Sequence, residues 1–241
     1  MYDIRHFSLK DMAQCSSALR SIGADAATME EVAQRIVQYL YDHLLDGATG
    51  EKSLVLARVF KTHPYEELDE SRRALALKML GGVSAPPEMK CLTLLATVGV
   101  KAEWNSRRQS TGHQTIPLPS EQFVDRFPMI RQLIQQLGVE VNTLLLPDAA
   151  VLADMAQTTY NVFYVPNAVG NQYVPAQEEF VIPYGVRSVI GFGGVLPSGN
   201  LFAVIMFSRT DIPKEAADMF KTLALSVKLA LLPFVGKAVF A

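Results

Sequence analysis

The run from Ser188 to Arg209, SVIGFGGVLPSGNLFAVIMFSR, constrains the fold more than any other part of this chain. Two stretches rich in Val, Ile and Phe flank Leu196-Pro197-Ser198-Gly199-Asn200, which is the composition of a strand, a short turn and a returning strand. In the second arm, alternation puts Phe202, Val204 and Met206 on one face and Leu201, Ala203, Ile205 and Phe207 on the other. Both faces are apolar, so the pattern predicts a central strand covered on both sides. The turn has only Ser198 and Asn200 as polar side chains, with no adjacent acid or base to activate them. No residue from Gly191 to Asn200 is therefore expected to take part in catalysis.

The remaining elements interleave with this hairpin. Thr28-Met29-Glu30-Glu31 has capping-box spacing and precedes Val32, Ile36, Val37, Leu40, Tyr41, Leu44 and Leu45 at helical intervals, predicting a helix over 28–45. Leu9 to Leu19 predicts another. Ser53 to Lys61, Lys90 to Val98 and Asn161 to Val165 read as strands, and Phe180 to Pro183 is a further short apolar run. Helices are expected over Glu66 to Leu80, from Ser120 with Pro128 kinking or dividing it, and from Pro213 onward. In that last helix Ala216, Phe220, Leu223, Ala224, Val227 and Leu231 form one stripe, while Leu225, Leu229 and Leu232 lie off it. The second set calls for another partner, most economically a second copy of the chain.

At 241 residues and 49% hydrophobic, the chain can bury a full core, and no repeat or low-complexity linker divides it. A single domain over 1–241 is expected. The 22 basic and 24 acidic residues give a net charge of -2, so no electrostatic footprint for nucleic acid is present. Charges at the N-terminus and in the apolar C-terminal stretch argue against a signal peptide and a membrane span, predicting a cytoplasmic protein. Cys15 and Cys91 are read as free thiols.

The order of elements, closing on VRSVIGFGGVLPSGNLFAVIMF and IPKEAADMFKTLALSVKLAL, resembles GAF domains, the small-molecule sensor modules of bacterial signalling proteins. More loosely, the chain is similar to GAF-like regions at the N-termini of histidine kinases, response regulators and diguanylate cyclases. The resemblance implies an α+β fold: a central antiparallel sheet with a ligand pocket on one face and helices, often a dimer interface, on the other. It implies a bacterial signal-transduction role in which a small molecule of unknown identity, or a partner, is sensed without chemistry, and the state is transmitted through terminal helices of a homodimer. The cofactor is unknown.

An enzyme would need a recognisable reactive constellation, and G-x-S-x-G, H-E-x-x-H, C-x-x-C and the Walker A loop are all missing. The richest polar segment is the loop holding Trp104, Arg107, Arg108 and His113, which offers an indole, two guanidiniums and an imidazole to an anionic or planar ligand. Tyr173, Tyr184 and Arg187 lie beside the later strands, where the resemblance places pocket walls. The expected binding set is Trp104, Arg107, Arg108, His113, Tyr184 and Arg187, which requires those side chains to converge. The rival readings are a ligandless dimerisation module and a small enzyme built on the loop from Trp104 to His113. His63-Pro64-Tyr65-Glu66-Glu67 is read as a turn entering a helix, and Cys91 as a buried thiol.

Overall fold

The structure is a computed structural model that describes residues 1–110, 112–146, 161–237 and 239–240. Its centre is a six-stranded sheet built from β3 (Leu54–Pro64), β4 (Lys90–Gly99), β5 (Thr115–Pro117), β6 (Phe163–Val165), β7 (Ser188–Val195) and β8 (Leu201–Ser208). The strands run in the order β5-β4-β3-β8-β7-β6, every neighbouring pair antiparallel. Strands β1 (Tyr2–Asp3) and β2 (Leu44–Leu45) form a separate parallel pair.

The hairpin forms as its composition requires. Its turn closes through the Gly199 amide donating to the Leu196 carbonyl and the Leu196 amide donating to Asn200, both at 2.9 Å. Gly199 sits at φ +74°, where a side chain would be strained. Gly193 answers to space instead: a Cβ there would stand 2.1 Å from the Phe202 carbonyl oxygen on the paired strand. Strand β8 lies between β3 and β7 and all its residues are buried, as its two apolar faces predict.

Those faces belong to two different cores. Phe202, Val204 and Met206 join Ala57 and Val59 of β3 beneath three helices, α1 (Leu9–Ser21), α2 (Met29–His43) and a long helix near the C-terminus. Leu201, Ala203, Ile205 and Phe207 join Leu56, Phe60, Leu92 and Ile116 on the opposite face. A β-bulge between Val59 and Phe60 shifts the register of β3 against β4. Helix α3 (Glu70–Met79) packs Ala76 with Leu68, Met89 and Cys91 in a small satellite cluster.

The second face is roofed by α4 (Glu121–Val124), α5 (Pro128–Gln136), α6 (Val141–Leu145) and the segment around Val174 to Val186. Pro128 divides the expected helix and opens α5 at its first turn, where its missing N–H costs nothing. The long helix is α7 (Lys214–Leu231), preceded by Pro213. Leu225, Leu229 and Leu232, the residues off its buried stripe, are exposed.

Local differences from the sequence expectations have plain causes. The Glu31 carboxylate accepts from the Ala27 amide instead of closing a box on Thr28, while an unforeseen reciprocal box forms between Ser8 and Asp11. Helix α2 stops at His43 because Leu44 and Leu45 pair with the N-terminal strand. The short apolar run from Phe180 follows and overlaps a turn of π-helix, Gln177–Val181, which tucks Val181 into the second core. Strand β5, only three residues long, arises inside the loop read as irregular.

Candidate functional site

Between the sheet's second face and its roof lies a cavity of about 290 Å³. Its floor is Arg58 and Phe60 of β3, Leu92 of β4, Ile116 of β5, and Ile205 and Phe207 of β8; Phe127 to Ile130, Leu133, Tyr173 and Pro175 form its walls. Alternation in β3 sends Leu56, Arg58 and Phe60 to this face, and β8 places Ile205 opposite Arg58. The volume is at the small end of the roughly 300–1,000 Å³ usual for ligand pockets, and the lining has their character: apolar, with few polar groups.

Arg58 is the unusual member. Its Nη2 donates to Ser110 Oγ at 3.0 Å and its Nη1 to the Gly112 carbonyl at 3.3 Å, whereas its Nε is buried with no hydrogen-bond partner. No carboxylate pairs with it among the described residues. Burial alone pulls its pKa down to about 10, which leaves it a cation at neutral pH. His113, reaching the cavity from φ +55°, has its pKa lowered first by the surrounding protein and then by the Arg58 charge. Arg126 contributes at the exposed rim, its guanidinium over the Phe123 ring.

A second polar cluster sits at the end of β3. Lys61 and His63 are both buried, and Lys61 Nζ lies 3.1 Å from His63 Nδ1. Nδ1 thus faces a donor in Lys61 and an acceptor in the Glu67 carboxylate, while Nε2 is buried without a partner. Glu67 lies 3.5 Å from the ring, and Phe240 packs against it with Arg72 and Arg107 over the Phe240 ring. Burial, set partly against the Glu67 charge, pushes Lys61 down to about 8 and His63 to about 4.

The six residues expected to form one site do not converge. Trp104 and Tyr184 do meet, with ring centroids 4.9 Å apart, and Lys101 lies over both. Arg107 turns to the helical side, paired through Nε and Nη2 with the Glu30 carboxylate, and shares a separate cleft with Arg108, Arg72 and Phe240. Arg187 is exposed and bonded to Asp211 at 2.6 Å. Of the six, His113 alone lines the cavity, together with Tyr173. A loop's polar composition does not state which way each side chain turns.

The residue that reading missed is Arg58. A charged residue in the middle of SLVLARVFK, a run otherwise fit for burial, was the available signal, because such a side chain is rarely buried unless something compensates it. Cys15 and Cys91 are free and buried, their thiols pushed up to about 12 by burial, so neither is a reactive thiolate. Among the described residues, no group of three or more His, Cys, Asp or Glu is placed to hold a metal ion. No helix among them is long and apolar enough to cross a membrane. No protein-family model matches the chain, and no curated protein matches it.

Proposed function

We propose that this chain is a GAF-like, small-molecule-binding sensory module of a bacterial signalling protein. The observation that carries the reading is the apolar cavity of about 290 Å³ on the sheet face opposite the three long helices, which is the division of labour the sequence resemblance implies. The strands that floor the cavity also support the helices: β3 turns Phe60 to the cavity and Val59 to the helices, and β8 turns Ile205 and Met206 likewise. A ligand that favours one packing of these strands biases the helices on the far side.

The test is a thermal-shift screen of small organic fragments against the protein and against Ile130→Trp, which fills the cavity from its half-buried wall. Binders should raise the melting temperature of the parent and leave the filled variant unmoved. An absence of binders, or binders indifferent to the filling, contradicts the reading.

Output through a homodimer is the second part of the proposal. Leu225, Leu229 and Leu232 recur at i, i+4 and i+7, with relative exposures of 59%, 42% and 38%, and so form one uncovered apolar stripe. Leu229→Glu should shift the protein toward monomer in light scattering while its circular dichroism stays unchanged. A parent that is monomeric at micromolar concentration would remove this part and leave the cavity untouched.

A further inference from the structure

We infer that the cavity takes a carboxylate carried on a compact apolar body, its charge met by the Arg58 guanidinium; this rests on the cavity being the binding site proposed above. Arg58 stands in the floor among Phe60, Leu92, Ile116 and Ile205, so a molecule filling the space meets mostly hydrocarbon around that cation, with His113, Gln172, Tyr173 and the rim residue Arg126 as the other polar groups of the lining. A guanidinium carries five N–H donors, and the protein engages two of them, through Ser110 and Gly112. Both acceptors are neutral. Among the described residues the positive charge is thus tied in place with no carboxylate paired to it, an arrangement that costs free energy and is repaid when an anion arrives.

A purely structural tie between β3 and residues 110–112 accounts for the two bonds but not for the choice of residue. Two hydrogen bonds to neutral oxygens need donors only, and a glutamine supplies them without burying a charge. A guanidinium lining an apolar space suits a carboxylate, which accepts two parallel N–H bonds. A phosphate monoester fits less well: it brings up to two charges and three oxygens to a largely apolar cavity with one cation in its floor. The apolar lining then selects for the body, and the volume limits it to a small ring or a short branched chain.

The probe pair is phenylbutyrate and its primary amide, titrated by calorimetry into the full chain and into Arg58→Gln. The acid should bind the parent about 10- to 100-fold more tightly than the amide, the range of a charge-assisted hydrogen bond. Arg58→Gln should abolish that preference by weakening the acid while leaving the amide unchanged. Should Arg58→Gln fail to fold, Arg58→Lys takes its place, since it keeps the charge and loses the fork; the preference should then shrink without vanishing. Acid and amide binding the parent equally would overturn the carboxylate and leave the cavity reading intact. A preference surviving in Arg58→Gln would also overturn it, by assigning the charge to another cation such as Arg126. Should neither probe bind, the inference falls; fragments of another class that still bind the cavity would then preserve the functional reading, and their absence would remove both.

Discussion

Phe220→Ala should lower the unfolding free energy by about 3–5 kcal/mol, the range for emptying a fully buried aromatic site. The ring is inaccessible to solvent and stands where three parts of the chain meet. It belongs to α7, stacks on Phe7 with centroids 4.8 Å apart and 26° between planes, and meets Phe192 of β7 at 5.8 Å. Truncation therefore loosens the N-terminal segment, the last helix and the sheet together, so neighbouring groups cannot collapse into the gap from one side only. Against a total stability of about 5–15 kcal/mol, this is enough to bring the fold near its threshold. Urea unfolding should show a lower midpoint at an unchanged slope. Leu225→Ala on the same helix, at an exposed position, should leave a monomer's stability nearly unaltered. Equal effects at the two positions would mean that the packing face of α7 has been misassigned.

The second large effect concerns acid. His63 is held neutral by burial down to about pH 4, whereas the unfolded chain protonates it near 6.5. Between these values the unfolded state binds the proton and the folded state does not, so stability falls as pH is lowered through that window. At about 1.4 kcal/mol per pH step the loss amounts to about 3 kcal/mol, and it levels off below pH 4. The groups facing the ring are Lys61, Lys90 and Glu67, with Arg72 and Arg107 beyond Phe240; only Glu67 favours the protonated ring. Denaturant curves at a series of pH values should give the parent this excess slope over His63→Gln. Parallel slopes would show that the ring is neutral in neither state or in both. Lys61 acts in the opposite range: its folded pKa, about 8 against an ordinary 10.5, makes stability rise with pH between those values.

What could be read in advance was whatever rests on periodicity. The two faces of β8 separate into two cores as alternation demands, because each face is uniformly apolar and needs its own cover. Helix α2 was equally legible from its stripe, although its end was not, since Leu44 and Leu45 leave the helix to pair with residues far away in sequence. The candidate site was harder. Its residues come from β3, β4, β5, β8, α5 and the segment around Tyr173, and their meeting depends on the strand order and on the bulge at Val59 and Phe60. Neither is written in local composition. The loop from Trp104 to His113 attracted attention because it is polar, yet its side chains leave in different directions: Trp104 to Tyr184, Arg107 to Glu30 and His113 to the cavity. Arg58 carried the opposite signature, a charge flanked on both sides by apolar strand residues, and the energetic oddity of that position was the better guide.

The most direct measurement is a nitrogen-labelled amide spectrum of the protein titrated with a fragment that stabilises it. If the cavity is the binding site, saturable shifts will appear first at Phe60, Ile130, Ile205 and Phe207, with smaller ones at their β3 and β8 neighbours that face the helices. Shifts confined to α1 and the outer face of α7, or no saturable shift at any residue, would contradict it.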